Sequence, residues 1–159
     1  MRRFLTALFL ALASYGACAG ELRPFTADSL AAIQEKFAGR PFILTLWSTT
    51  CTHCAKELRL LGRLARSAPD LPVAIVSTDT PDEAADIRAA LKRFGLGAMD
   101  TWVFNDAVPE RLRHAIDPAW RGELPRSYLF DAAHRREARS GVLDEATIRQ
   151  FLQSRGTSR

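Results

Sequence analysis

The sequence predicts an α/β fold, with a mixed central sheet that carries helices on both of its faces. Two short apolar runs, "PFILTLW" (41–47) and "PVAIVST" (72–78), have the continuous hydrophobicity of strands that are buried on both faces. A segment with helical spacing separates them, which favours parallel pairing through a right-handed crossover. Further along, "RSYLFD" (126–131) and "REARSG" (136–141) are joined by "AAHR" and predict an antiparallel hairpin.

Apolar residues at helical spacing predict the helices that cover this sheet. Segment 28–39 begins acidic and ends at a glycine, as does segment 81–95, and another helix follows the cysteine pair and ends before Pro69. The remaining elements are a weak strand at 100–104, a short helix at 107–116 with a proline near its first turn, and a closing helix at 144–153. The predicted order is α-β-α-β-α, then a connector that holds the weak strand and the short helix, then β-β-α.

The N-terminal residues "MRRFLTALFLALASYGACAG" have the pattern of a secretory signal peptide. Two arginines precede an apolar core that is too short to span a membrane comfortably, and "ACA" resembles an A-x-A cleavage site. We expect cleavage after Ala19, so that residues 1–19 are a signal peptide and residues 20–159 form a single periplasmic domain. Two alternatives stay open, namely a lipoprotein anchored through Cys18 and a twin-arginine export signal.

Charge and composition argue against nucleic acid as a partner. The chain has 22 basic and 18 acidic residues, a net charge of +4, and no basic run with interleaved aromatic residues. Two of the basic residues belong to the predicted signal peptide. The locally basic segment 113–126 is typical of a solvated loop face. We expect a monomer whose partners are proteins.

Cleavage at this site leaves two cysteines, Cys51 and Cys54, and three structural interpretations of the pair can be weighed. A disulfide between them closes so short a loop that it stabilises by only about 2 kcal/mol, against about 3 kcal/mol for a fifteen-residue loop. A zinc site needs two further ligands, and the three histidines are not arranged as a second pair. Covalent haem attachment needs a histidine directly after the second cysteine, where Ala55 stands. We therefore expect neither a metal nor a cofactor.

The location of the pair favours a reactive role. A buried strand ends at Trp47 and delivers Cys51 to the first turn of the following helix. Unpaired amide groups and the positive end of the helix dipole stabilise a thiolate there. Cys51 is then the exposed, attacking sulfur, and Cys54, one turn further on, resolves the mixed disulfide.

The segment "FILTLWSTTCTHCAKEL" (42–58) resembles the active-site segment of thioredoxin-fold proteins, and "GELPRSYLFD" (122–131) resembles their later segment, where a cis-proline precedes a strand. The resemblance implies a cis Leu124–Pro125 bond beside Cys51. The most similar subgroup is the exported TlpA/ResA-type thiol-disulfide oxidoreductases, in which a glutamate follows the Cys-x-x-Cys pair by three residues, as Glu57 does here. The likeness covers about residues 24–153.

Several residues depart from the family's pattern. Thr45 stands where thioredoxins carry a buried aspartate, so Glu57 becomes the candidate for the proton-shuttling carboxylate, with a solvated helix surface position as the alternative. His53 precedes the second cysteine, as in the oxidant DsbA, and Arg126 follows the proline where threonine is commoner. Together with Trp47 they are expected to tune the pair, and both cationic side chains favour a low pKa of the Cys51 thiol.

The resulting hypothesis is a periplasmic oxidoreductase that reduces disulfides in exported client proteins, with electrons supplied by a membrane thiol reductant. Cytochrome c maturation and copper-site assembly are the family's typical tasks. An oxidant or isomerase role is the first alternative, because His53 and Arg126 make the disulfide more oxidising. A copper chaperone that uses the same cysteines is the second, since soft thiolates suit Cu(I).

Overall fold

A computed structural model describes residues 20–154, so the predicted signal peptide and Cys18 lie outside the described residues. The strands are β1 Leu22–Phe25, β2 Phe42–Trp47, β3 Val73–Ser77, β4 Thr101–Phe104, β5 Arg126–Phe130 and β6 Arg136–Ser140. The helices are α1 Ser29–Lys36, α2 Cys54–Ser67, α3 Ala84–Arg93, α4 Pro109–Ile116 and α5 Glu145–Ser154. None of the helices within residues 20–154 has both the length and the apolar character needed to cross a membrane.

All six strands form one mixed sheet in the order β1-β4-β3-β2-β5-β6. The pairs β1·β4, β4·β3 and β3·β2 are parallel, whereas β2·β5 and β5·β6 are antiparallel. Helices α2, α3 and α5 contribute to the hydrophobic core on one face, and α1 and α4 contribute to the core on the other. The predicted mixed sheet with helices on both faces is confirmed.

The central strand β2 is buried along its whole length, as its continuous apolar run predicts. Its side chains alternate between the two faces. Ile43 and Trp47 belong to the core beneath α2, while Phe42, Leu44 and Leu46 belong to the core beneath α1 and α4. The loop that follows β2 leaves the sheet at the carboxyl edge of the parallel strands, and it leads through Cys51 to Cys54, the first residue of α2.

Strand β1 was not predicted from the sequence, for which α1 was the first expected element of the domain. The strand is four residues long, contains Pro24, and pairs on one side only, with β4. A proline cannot donate to a ladder and is tolerated at an edge. A short edge strand carries neither clear alternation nor a continuous apolar run, so pattern recognition had little to detect.

The predicted helix 81–95 is present, with a difference at its start. Residues Pro81–Glu83 form a single 3-10 turn, and α3 proper begins at Ala84. Glu83 accepts a hydrogen bond from the backbone N–H of Thr80 in a capping box, which supports this start. The end at Gly95 is as predicted, since its φ of 77° lies in the left-handed region that glycine adopts without strain.

Helix α2 approaches the C-terminal end of α3 very closely at Gly62. A Cβ atom built on Gly62 would lie 1.8 Å from the carbonyl oxygen of Phe94. Glycine is therefore required at this position by the closeness of the two helices. One turn earlier on α2, Arg59 lines the same groove as Cys51 and as Arg93 and Phe94 at the end of α3.

Candidate functional site

The cysteine pair lies in the turn between β2 and α2. Cys51 is partly exposed, and Cys54 is 1% exposed and belongs to the core beneath α2. The two sulfurs are bonded as a disulfide, and the backbone N–H of Cys54 donates a 3.1 Å hydrogen bond to the Cys51 sulfur. Sequence analysis placed Cys51 in the first turn of the helix, but α2 begins at Cys54. Cys51 lies just ahead of the helix, next to the positive end of the helix dipole, and the Cys54 N–H is the donor to its sulfur.

The loop before Cys51 is anchored by Asp79, a residue that sequence analysis did not single out. Asp79 is 8% exposed, and its Oδ1 accepts a 2.7 Å hydrogen bond from the Ser48 hydroxyl. Its Oδ2 accepts 2.8 Å and 2.6 Å hydrogen bonds from the backbone N–H of Thr49 and the hydroxyl of Ser77. Because β2 and β3 are parallel neighbours, an aspartate two residues after the end of β3 was a detectable signal for a group near the loop after β2.

Glu57 is buried on the sheet-facing side of α2, and it is not a solvated surface residue. Its side chain is 1% exposed. The hydroxyls of Ser127 and Thr45 donate hydrogen bonds of 2.9 Å and 3.3 Å to Oε1, and the backbone N–H of Leu143 donates one of 2.9 Å to Oε2. Burial raises the pKa of Glu57 above its ordinary value of 4.5, although these hydrogen bonds oppose the shift.

Thr45 connects this carboxylate to the centre of the sheet. Its hydroxyl lies 3.3 Å from Glu57 Oε1 and 3.2 Å from the Ser127 hydroxyl. The position at which the resemblance implies an aspartate therefore carries a hydroxyl group that supports a carboxylate supplied by the helix. Glu57 and Cys54 are three residues apart on α2 and share its buried face.

The implied cis peptide bond between Leu124 and Pro125 is present. Pro125 is buried and immediately precedes β5, whose first residue, Arg126, pairs with Leu46 of β2. The proline therefore lies at the end of the sheet where β2 leads into the cysteine loop. Leu124 packs against the core cluster that contains Cys54.

Trp47 and Cys51 line a groove of about 320 Å³ at this end of the molecule. Trp47 is 2% exposed and packs in the same core cluster as Cys54. The groove continues over α2 and the end of α3, where Arg59, Arg93 and Phe94 line it. The structure thus brings the tryptophan and both cysteines together, with a concave surface on the exposed side of Cys51.

The two predicted tuning cations occupy different environments. His53 is exposed and directly precedes α2, in the turn between the cysteines. Arg126 extends from the face of β5 opposite to Ser127, and Ser127 faces Glu57. Its guanidinium therefore lies on the side of the sheet away from α2.

Arg126 is held by carboxylates on that far side. It donates hydrogen bonds of 3.0 Å to Asp117 and 2.9 Å to Glu123, and its Cζ lies 5.0 Å from the centroid of the Tyr128 ring. Burial opposes ionisation of Asp117, but its hydrogen bonds, those from the Ala119 N–H and Tyr128 hydroxyl first, hold its pKa below the ordinary 3.8. The expectation that Arg126 supplies a positive charge beside the cysteines is therefore not supported, since its charge is paired elsewhere.

Within residues 20–154, no group of three or more histidine, cysteine, aspartate or glutamate side chains is placed to hold a metal ion. The cysteine pair thus has no third protein ligand of these types in the described part of the chain.

Solved structures of several thiol-disulfide proteins share this fold. A thiol:disulfide interchange protein of the thioredoxin family from Chlorobium tepidum is 17% identical with a TM-score of 0.60, over 77% of this chain and 83% of its own. A thiol-disulfide isomerase from Corynebacterium glutamicum is 15% identical with a TM-score of 0.59, over 79% and 86%. A secreted Mycobacterium tuberculosis disulfide oxidoreductase homologous to E. coli DsbE is 14% identical with a TM-score of 0.56, over 76% and 85%.

No family model and no curated protein matches the sequence. The structural likenesses confirm the predicted thioredoxin-like fold, and the three proteins described above are a thiol:disulfide interchange protein, a thiol-disulfide isomerase and a disulfide oxidoreductase.

Proposed function

We propose that this chain is an exported thiol-disulfide oxidoreductase in which Cys51 attacks and Cys54 resolves. The observation that carries the proposal is the asymmetry of the pair. Cys51 is partly exposed at a groove and receives a 3.1 Å hydrogen bond from the Cys54 N–H, whereas Cys54 is 1% exposed. A hydrogen bond to the sulfur and an adjacent helix N-terminus both favour the thiolate, which is the nucleophile in disulfide exchange.

Reduction of a client disulfide proceeds in two displacements. The Cys51 thiolate attacks one client sulfur, forms a mixed disulfide and releases the other client sulfur as a thiolate. The Cys54 thiolate then attacks the Cys51 sulfur, which restores the Cys51–Cys54 disulfide and releases the second client thiolate. Two electrons pass from the pair to the client, and a membrane thiol reductant returns them to the pair.

Glu57 is the group that we assign to proton transfer in the second displacement. Cys54 is buried, so its thiol must lose a proton to a nearby acceptor before it attacks. Glu57 lies three residues further along the same buried face of α2, and burial raises its pKa, which makes the carboxylate a stronger proton acceptor. Thr45, Ser127 and the Leu143 N–H orient the carboxylate for this role.

The finer assignment is a periplasmic reductase of the TlpA/ResA type, acting in cytochrome c maturation or copper-site assembly. The glutamate after the cysteine pair and the secretory pattern of the N-terminus support it. An oxidant role rests on His53 alone, because Arg126 is paired with Asp117 and Glu123. Replacement of His53 by alanine should raise the pH at which Cys51 becomes reactive, and an unchanged midpoint would remove this support for the oxidant role.

Trapping of mixed disulfides tests the proposal. The Cys54→Ser variant keeps the nucleophile but cannot resolve, so it should accumulate mixed disulfides with envelope proteins. The Cys51→Ser variant is the matched control and should trap few, because Cys54 is 1% exposed. Equal trapping by both variants, or by neither, would contradict the assignment. Measurement of the intact mass of the protein from the cell envelope tests the export step. A mass that corresponds to a chain beginning at Gly20 would support cleavage after Ala19, whereas a lipid on Cys18 would show a membrane-anchored lipoprotein instead.

A further inference from the structure

The groove beside Cys51 has an uneven distribution of charge. One wall consists of the hydroxyl-bearing loop that leads to Cys51, and the other is formed by Arg59 on α2 and by Arg93 and Phe94 at the end of α3. No aspartate or glutamate is among the residues that line it. The carboxylate of Asp79 lies behind the loop, where it accepts hydrogen bonds from the loop itself.

The two arginines share one aromatic ring. The Cζ atoms of Arg59 and Arg93 lie 5.5 Å and 5.2 Å from the centroid of Phe94, at cation–π distance. Both side chains are exposed, and neither forms an ion pair with any carboxylate among residues 20–154. The ring restricts both guanidinium groups, whose exposed N–H groups remain able to bind a carboxylate.

Five other arginines within residues 20–154, among them Arg40 and Arg88, likewise form no ion pair with a carboxylate, whereas eight do. Arg113, Arg135 and Arg149, for example, contact Glu110, Asp131 and Glu145. Arg59 and Arg93 differ from the other unpaired arginines of the described residues in their position, because only these two line the groove that holds the attacking sulfur. Planar guanidinium groups bind carboxylates through paired, charge-assisted hydrogen bonds, so the chemistry of this wall fits an acidic side chain.

We infer that the groove is a client-docking site that selects cysteines flanked by aspartate or glutamate, with Arg59 and Arg93 as the residues that determine this specificity. The inference rests on the proposed function and extends it by naming the class of client. A client chain lies along the groove with its sulfur at Cys51 and a neighbouring carboxylate at the Phe94 end. Complementary charge of this kind acts mainly on the rate of association.

The test uses single-turnover kinetics of the full chain carrying Cys54→Ser. The probes are two peptides of equal length whose single cysteine is activated as a pyridyl disulfide, one with flanking aspartates and one with flanking lysines. The Cys51 thiolate attacks the peptide sulfur, forms the Cys51–peptide disulfide and releases pyridine-2-thiolate, which is followed by its absorbance. The measured quantity is the ratio of the two second-order rate constants, in which any change in thiolate reactivity cancels.

We expect the acidic peptide to react about tenfold faster, and this ratio to fall toward one as the salt concentration rises. In R59E/R93E the ratio should fall to one or below. The matched control is R40E/R88E, which changes the net charge equally at two exposed arginines that do not line the groove. The control should keep the ratio, because a general effect of net charge would act on both variants alike.

Three outcomes would overturn the inference. If the acidic and the basic peptide react at equal rates with the chain that keeps both arginines, the inference is rejected before any groove variant is measured. An unchanged ratio in R59E/R93E, or an equal loss in R40E/R88E, would show that the selection lies elsewhere or reflects net charge. The small, neutral reagent dipyridyl disulfide separates the two levels of the proposal. If Cys51 fails to react with it, the proposed function is rejected together with the inference, whereas reaction with it but no peptide preference rejects the inference alone.

Discussion

The Ser127 hydroxyl donates a 2.9 Å hydrogen bond to the carboxylate of Glu57, which joins β5 to the helix that carries Cys54. Arg126, the residue before Ser127, extends to the opposite face of the sheet, and Pro125 immediately precedes Arg126. A single short segment of β5 thus supports the buried carboxylate on one face and the Arg126 ion pairs on the other. This alternation places Glu57, for which we propose a proton-transfer role, and the ion pairs of Arg126 on opposite faces of the sheet.

Replacement of Glu57 by glutamine should change how stability depends on pH. Burial raises the pKa of Glu57 in the folded chain above 4.5, so between 4.5 and the raised value the folded state binds more protons than the unfolded state. The wild-type free energy of unfolding therefore falls as pH rises through this window. Glu57→Gln removes the titration and should lack this fall. Urea denaturation at a series of pH values gives the free energy of unfolding of the variant minus that of the wild type. If this difference does not change with pH above 4.5, the prediction is contradicted.

The same variant tests the proton-transfer role. Glutamine keeps the shape and the acceptor for the Leu143 N–H, so the fold should be retained. Because its amide cannot take up a proton, the rate at which Cys54 resolves a Cys51 mixed disulfide should fall. Glu57→Ala is the comparison for structure, since it leaves the Leu143 N–H unpaired and should cost about 1–3 kcal/mol of stability. Resolution at the wild-type rate, with the wild-type pH profile, would leave Glu57 with a structural role only.

Asp79→Ala should loosen the loop that leads to Cys51. The substitution removes the acceptor of the Ser48 hydroxyl, the Thr49 N–H and the Ser77 hydroxyl, so we expect a loss of about 1–3 kcal/mol and faster hydrogen exchange at Thr49. Asp82→Ala is the control, because Asp82 is exposed in the same connection between β3 and α3 and should change stability by less than about 0.5 kcal/mol. Equal effects of the two substitutions would show that Asp79 does not anchor the loop.

Arg126→Ala separates the structural role of this arginine from its predicted tuning role. The side chain is 12% exposed and pairs with Asp117 and Glu123, so its loss should lower the free energy of unfolding by about 1–3 kcal/mol. The pH at which Cys51 becomes reactive should stay the same, because the guanidinium lies on the other face of the sheet. A shifted midpoint with unchanged stability would restore the tuning hypothesis.

Gly62→Ala should destabilise the chain, opposite to the usual effect in a helix. Alanine in place of glycine normally stabilises a helix interior by about 1 kcal/mol. Here the added Cβ would lie 1.8 Å from the Phe94 carbonyl oxygen, so α2 and the end of α3 must separate. We expect a loss of about 1–3 kcal/mol by thermal or urea denaturation. An increase in stability would mean that the two helices do not approach this closely in solution.

Local spacing in the sequence was sufficient for most of the architecture. The apolar runs at β2 and β3, the helices α1 to α3 and the hairpin β5–β6 were predicted because each has a pattern within its own residues. The cysteine turn between a buried strand and a helix was predictable for the same reason. The cis bond before β5 came from the resemblance of a local motif to a known family. Strand β1 failed this test because an edge strand of four residues with a proline has no such pattern.

Only the tertiary structure decided which polar residues meet. The Leu143 N–H that binds Glu57 lies 86 residues away along the chain, and the Asp79 carboxylate that holds Ser48 lies 31 residues away. Sequence alone left Glu57 with two possible roles, a proton-shuttling carboxylate or a solvated residue on the helix surface, and counted Arg126 among the cations of the site. A side chain's partners depend on which elements pack together and on which face of a strand each residue occupies. Local spacing determines the helices and strands, whereas long-range packing determines what surrounds each charged side chain. Packing therefore decides which carboxylate lies on the buried face with Cys54 and which arginines line the groove beside Cys51.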